Sequence, residues 1–168
     1  SVPSVPPISG VENAVVAQDV LTNKVPAKNN IIVIGGGLVG CELALHLAQN
    51  GKNVTIVEAM EDILKAGAPI APMNEQMLRE LLIFNKVTVK TGSKVTNIAA
   101  DNIQIEKDGT QETITCDQVV LAVGYKSNHP VYDSLKNDYA LIYNLGDAQQ
   151  VRNIRAAIWD AYEVARNV

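Results

Sequence analysis

Aromatic side chains are nearly missing from this chain, which has one Phe, one Trp and five Tyr in 168 residues. Its core must therefore be assembled from Val, Ile, Leu and Ala, within a hydrophobic fraction of 47%. Cysteine is scarcer still: Cys41 and Cys116 stand alone, which excludes a disulfide framework and a cysteine-built metal site. Positive charge is not in excess. Fourteen Lys+Arg against 18 Asp+Glu leave a net charge of −4, so no broad electrostatic hold on nucleic acid or an anionic membrane is expected. No apolar run approaches the roughly 18 residues needed to cross a bilayer. No basic segment followed by an apolar one reads as a secretory signal. What remains is a folding chain of one ordinary domain, or one plus a fragment, expected in a reducing, cytoplasmic compartment.

The apolar pattern predicts an α/β fold: a Rossmann-like parallel sheet with crossover helices and an antiparallel β meander. Residues 1–30 read as a lead-in, broken by Pro3, Pro6, Pro7 and Gly10, with Val15, Val16, Val20 and Leu21 able to make a short apolar contact. Ile31-Ile32-Val33-Ile34 is a β-branched run of the kind buried on both faces inside a parallel sheet. A helix is predicted from Leu38 to Asn50, stopped by Asn50-Gly51, and Val54–Val57 is the next strand. Beyond a loop over 59–72, a helix over Met73–Phe84 is expected to bury Met77, Leu78, Leu81 and Leu82. Strands follow at Val87–Lys90, Lys94–Ala99, Asn102–Lys107, Gln111–Cys116 and Val119–Val123, with a hairpin at Asp108-Gly109. A last strand over Leu141–Leu145 and a helix over about 150–167 complete the expected order.

Gly35-Gly36-Gly37-Leu38-Val39-Gly40 matches G-x-G-x-x-G. Alone the pattern is weak, because glycine clusters also make plain tight turns. Here a buried strand precedes it, a helix follows, and Glu58 ends the next strand, 21 residues beyond Gly37. Gly35 permits the turn, Gly37 lets a pyrophosphate approach the backbone, and Gly40 allows helix and strand to pack closely. The helix N-terminus offers N–H groups and partial positive charge to phosphates, and the Glu58 carboxylate can accept hydrogen bonds from ribose hydroxyls. A carboxylate there repels the extra phosphate of NADP, and residues 58–64 contain no Arg. Lys65, the nearest cation, reads as solvated, so NAD is expected over NADP. FAD is the harder rival, since flavin sites use the same fingerprint.

The run IIVIGGGLVGCELALHLAQNGKNVTIVEAMEDIL, the meander and DQVVLAVGYKSN resemble the NAD(P)-binding domain of the pyridine nucleotide–disulfide oxidoreductase superfamily, flavoproteins with two dinucleotide-binding domains. They are most like its NADH:flavin oxidoreductase branch of 2-enoate and 2,4-dienoyl-CoA reductases. The resemblance implies that residues 1–28 are the remnant of a missing FAD domain, 29–138 the NAD domain, and 139–168 the strand and helix returning to the FAD domain. It implies FAD contacts at Gly146 and Asp147, and nucleotide contacts near Ala122, Val123 and Gly124; the bland alternative for those three is a strand end with a glycine turn. Val39 and Ala59 are placed by position beside the pyrophosphate and adenine. The expected cofactors are NAD(H) and, in the full-length protein, FAD. The expected partners are the missing FAD domain and an FMN-binding barrel; neither that domain's own fingerprint nor the branch's iron–sulfur cysteines occur in this sequence, which fits an excised segment. The rival readings are a stand-alone nucleotide-binding or sensing module without chemistry, FAD at the glycine loop, and a degenerate domain kept for packing.

The remaining candidates read as structural. Cys41, just after the last glycine, sits where a helix N-terminus can lower a thiol pKa, yet a small buried helix residue is the expectation. Cys116 reads as core. His46 and His129 lack a companion Asp or Ser, and Trp159 and Tyr162 read as surface bared by an absent neighbour. No side chain is assigned a catalytic role, since hydride transfer between cofactors needs none.

Overall fold

A computed structural model describes residues 1–67 and 69–167. Ala68, inside the loop expected over 59–72, and Val168, the last residue of the expected 139–168 remnant, lie outside the described residues. The chain divides into two compact units, Val5–Gly124 and Ser1–Ser4 with Tyr125–Val168.

The larger unit is built on five parallel strands in the order β2 (Ala14–Val16), β9 (Gln118–Leu121), β3 (Asn30–Ile34), β4 (Asn53–Val57) and β5 (Thr88–Lys90). The run 31–34 is apolar at every position because both its faces are covered. Ile31 and Val33 join the core shared with α1 (Ala17–Leu21), α2 (Leu38–Gln49) and α3 (Pro72–Phe84). Ile32 and Ile34 point the other way, into a second core with the meander β6 (Lys94–Ile98), β7 (Asn102–Lys107) and β8 (Thr110–Thr115). The period of two along β3 thus makes three layers, with helices, parallel sheet and antiparallel meander. Asp108 and Gly109 both take positive φ, 51° and 76°, and close the β7–β8 hairpin with Lys107 opposite Thr110, as a two-residue loop between right-twisted strands requires.

Two parts of this unit differ from expectation. The lead-in is not merely an apolar contact: Ala14–Val16 forms β2, hydrogen-bonded to Val119–Leu121, and Ala17 and Val20 of α1 are buried in the helix-side core. In α3 the buried face is Leu78 and Leu82, while Leu81 is half-buried and Met77 is 54% exposed. The stripe is rotated because Glu75 and Arg79, on the same side as Leu78 and Leu82, turn toward the loop that leaves β4.

The smaller unit pairs β1 (Val2–Pro3) with β10 (Tyr125–Lys126) and carries α4 (Pro130–Leu135) and α5 (Ile154–Ala165). The strand expected over Leu141–Leu145 does not form. Among the described residues of this unit no strand lies beside it, and a strand's backbone groups need such a partner. The closing helix is shorter than 150–167 and starts at an Asn153 cap, whose side chain accepts from the Ala156 N–H at 2.9 Å. Its apolar residues Ile154, Ile158, Trp159 and Tyr162 are exposed.

Candidate nucleotide site

The glycine turn lies at the C-terminal end of β3, which has β4 on one side and β9 on the other. That is the crevice in which open parallel sheets bind ligands. Gly35 takes φ +107°, and a Cβ there would fall 2.5 Å from the Ala122 carbonyl oxygen. A Cβ on Gly40 would fall 1.9 Å from the Gly35 oxygen and 3.3 Å from Ala122 Cβ. These two glycines are therefore obligatory for the close meeting of α2 with the ends of β3 and β9. Gly37 is different. Its φ and ψ of −70° and −177° suit any residue, and a Cβ would meet nothing nearer than Ala66 Cβ at 4.0 Å. Neither backbone strain nor crowding demands glycine at position 37. A ligand pressed against the backbone would, because a methyl group would occupy the space it needs. No side chain caps α2 and its first turn holds no acid, so its leading N–H groups keep no intrahelical partner and carry the positive end of the helix dipole. The site thus fits a dinucleotide's phosphates.

Glu58 follows β4 and is 9% exposed. Its Oε2 accepts from the Gly36 N–H at 2.5 Å and its Oε1 from the Met60 N–H at 2.8 Å. The acid therefore fixes the glycine turn as well as standing beside it. The loop beyond Glu58 adds a second hold: the Leu64 N–H donates to the Gly36 oxygen at 2.7 Å, and a Cβ on Gly36 would meet Ile63 Cγ2 at 2.7 Å. Leu38 and Ala59 are exposed and Val39 half-buried, the last against the helix-side core. Ala122 is brought to the turn by its N–H bond to Ile34 oxygen at 2.8 Å, while Val123 is half-buried and Gly124 exposed.

The charges around this loop differ from the sequence reading. Lys65 is not simply solvated; its Nζ lies 2.8 Å from Glu75 and 3.7 Å from Asp62. An arginine does reach the loop, though none lies in 58–64. Arg79 of α3 donates to both Asp62 oxygens at 2.9 and 2.8 Å, to Glu75 and to the Ile63 oxygen. The Arg79 guanidinium holds the Asp62 carboxyl below its ordinary range, Lys65 and then Arg79 do the same for Glu75, and Asp62 raises Arg79 further. The Glu75–Arg79 spacing of four on a helix was legible in the sequence; the reach to Asp62 depends on the loop's path and was not.

The other candidates fall away from the turn or into packing. Cys41 is buried, donates its Sγ–H to the Gly36 oxygen at 3.3 Å, and has its pKa pushed up to about 12 by burial. Burial raises Cys116 as well. In the smaller unit, Gly146 takes φ +57° and its N–H donates to Asp160 at 3.1 Å, while Asp147 accepts from the Arg152 N–H at 3.1 Å. His129 does have a carboxylate companion, contrary to expectation: its Nδ1 lies 2.7 Å from Asp133 Oδ2, an exposed pair one helical turn apart in which Asp133 also meets Lys136. A cavity of about 590 Å³ opens at the opposite edge of the sheet, lined by Asn30, Asn53, Lys86 and Asp117 among others. It lies past the C-terminus of α2, the negative end of that helix, and away from the glycine turn.

The sequence pattern of the pyridine nucleotide-disulphide oxidoreductase family matches residues 1–159. The chain belongs to this family. Members of the pyridine nucleotide-disulphide oxidoreductase family depend on FAD and NAD(H), and this chain is a domain of the kind found in their flavin-dependent reductases. It is 42% identical over 161 residues to a cinnamate reductase of Clostridium sporogenes, covering 96% of this chain and 24% of the relative. It is 37% identical over 176 residues to an NADH oxidase of Thermoanaerobacter brockii, covering 98% and 26%. A solved 2-naphthoyl-CoA reductase superposes with a TM-score of 0.91 at 26% identity, over 99% of this chain and 25% of that one. The chain therefore spans about a quarter of the length of the relatives it matches. Among the described residues, no helix is long and apolar enough to cross a membrane and no group of acidic, His or Cys side chains could hold a metal ion.

Proposed function

We propose that this chain is the NADH-binding part of a flavin-dependent oxidoreductase and presents the nicotinamide to a flavin. In this reading residues 29–138 hold NADH, with β2 and α1 of the lead-in completing their sheet and core, while 1–28 and 139–168 are the chain's links to the adjoining FAD domain of the same polypeptide, beside an FMN-binding barrel. The observation that carries it is the free space over Gly37 at the head of an uncapped helix, with Glu58 anchored beside it. The turn of Gly35, Gly36, Gly37, Leu38, Val39 and Gly40 receives the pyrophosphate, through the N–H groups that are not already given to the Val57 oxygen and to Glu58. Glu58 keeps acceptor lone pairs for the adenosine ribose after engaging Gly36 and Met60, since an ionised carboxylate offers about four such sites. Ala59 borders the adenine, and Ala122, Val123 and Gly124 line the approach toward the nicotinamide. Gly146 and Asp147 serve the FAD of the full-length protein.

When bound, NADH supplies a hydride for flavin reduction. The chain's own share is to orient the nucleotide and exclude water, with no side chain exchanging a proton. The isolated chain accordingly binds NADH without appreciable turnover, and the intact protein works in the cytoplasm. Calorimetric titration of the chain with NADH, NADPH and FAD side by side tests this. NADH should bind more tightly than NADPH, and FAD should form no tight complex. A stoichiometric yellow FAD complex with no NADH binding would overturn the assignment.

A further inference from the structure

The preference for NADH over NADPH cannot rest on the lack of an arginine, because Arg79 is delivered to the loop that leaves Glu58. This loop touches the glycine turn through Ile63 and Leu64, so the guanidinium is tied, through Asp62 and the Ile63 oxygen, to the segment that joins Glu58 to the turn. Arginine in such a place is what NADP sites use. Here its Nε, Nη1 and Nη2 are all committed, to Glu75, to both Asp62 oxygens and to the Ile63 oxygen. Lys65 is committed to the same two acids. Two cations and two carboxylates cancel, which leaves Glu58 and Glu61 as the loop's carboxylates without an ion pair among the described residues.

We propose that Asp62 and Glu75 are specificity-determining residues: they select NADH by occupying Arg79 and Lys65, the two cations that a ribose 2′-phosphate would otherwise recruit. The proposal rests on the reading of the glycine turn and Glu58 as the nucleotide site. A dianionic phosphate arriving at the loop meets the carboxylates of Glu58 and Glu61, neither ion-paired among the described residues, and a guanidinium that it can win only by breaking a bidentate, charge-assisted pair. Neutralising the acids keeps the shapes of Asp62 and Glu75 while releasing both cations. Arg79 and Lys65 have side chains 30% and 48% exposed, enough to turn toward a bound ligand.

The test is the dissociation constant of NADH and of NADPH, by calorimetry on the 168-residue chain, for wild type, D62N/E75Q and D62N/E75Q/R79Q. The double variant should bind NADH within about threefold of wild type. With one charge-assisted hydrogen bond newly open to the 2′-phosphate, NADPH should gain about tenfold or more relative to NADH. The triple variant should lose that gain. An unchanged NADPH-to-NADH ratio in D62N/E75Q overturns the proposal while leaving the nucleotide site intact. A gain that survives in the triple variant overturns it too, since the effect would then be one of general charge. If D62N/E75Q loses its cooperative thermal melt, E75Q alone carries the test: it removes the nearer partner of Lys65, leaves Asp62 to Arg79 and the more distant Lys65 contact, and should move the ratio in the same direction by a smaller factor. A wild-type chain that binds neither nucleotide would overturn the site reading and this assignment together.

Discussion

Replacing Gly37 and Gly40 separately by alanine divides binding from folding. At Gly37 the backbone already has φ −70° and ψ −177°, and the new methyl would have 4.0 Å of clearance to Ala66 Cβ. Gly→Ala there removes unfolded-chain entropy worth about 0.4–1 kcal/mol. Alanine is a poorer N-cap than glycine by a similar amount, roughly 0.5–1 kcal/mol. The two effects offset, so stability should change by less than about 0.5 kcal/mol. The same methyl would stand where a pyrophosphate approaches, and losing two charge-assisted N–H contacts would cost about 3 kcal/mol, or about a hundredfold in affinity. At Gly40 the methyl would fall 1.9 Å from the Gly35 oxygen, and the obstacle is backbone, so α2 must retreat from β3. Such overpacking costs about 1–3 kcal/mol, and the melting temperature should drop by several degrees, about 3–10 °C. Thermal melts and NADH titrations of both variants are the assay. A folded Gly37→Ala chain that binds NADH as wild type does would refute the cradle, as would two variants with the same balance of stability and affinity.

Glu58→Ala should lower stability as well as NADH affinity, because it strands the Gly36 and Met60 N–H groups, at about 1–3 kcal/mol for the buried donor; a denaturant midpoint equal to wild type would contradict that. The lowered pKa values of Asp62 and Glu75 make their network stabilising above the ordinary carboxylate range and lost as pH falls through the depressed values. The melting temperature should therefore decline more steeply below about pH 4 in wild type than in D62N/E75Q, which pH-dependent melts will show. With its pKa pushed up to about 12, Cys41 should resist iodoacetamide at pH 8 until the chain is unfolded; mass spectrometry of labelled peptides would reveal early modification if the buried thiol were reactive.

Much of the larger unit was legible because its signals are local. The all-apolar run at 31–34, the glycines that follow it, the acid after Val57 and the Asp108-Gly109 hairpin each depend on neighbours within a few residues. What escaped depends on partners far along the chain. Ala14–Val16 is a strand only because Val119–Leu121 lies beside it, and three residues with no alternation carry no period to read. Leu141–Leu145 has the composition of a strand and lacks the neighbour. Met77 has the spacing of a core residue, but the face it shares is outbid by Leu78, Leu82 and the polar clasp at Arg79. In the site, the tight turn at Gly35 and the close packing at Gly40 could be read from sequence; that Glu58 holds the turn itself, and that Arg79 arrives from another helix, could not.

The position of β9 governs when this protein can fold during synthesis. Residues 118–121 supply the strand between β2 and β3, so a nascent chain that has already made the glycine turn, Glu58 and the whole meander still carries β3 with one bare edge. Such late, long-range pairing is slow and exposes the chain to wrong partners. A ribosome that stalls or terminates between the second strand of the fingerprint and residue 117 would release the whole glycine turn in a polypeptide primed to add a foreign strand instead.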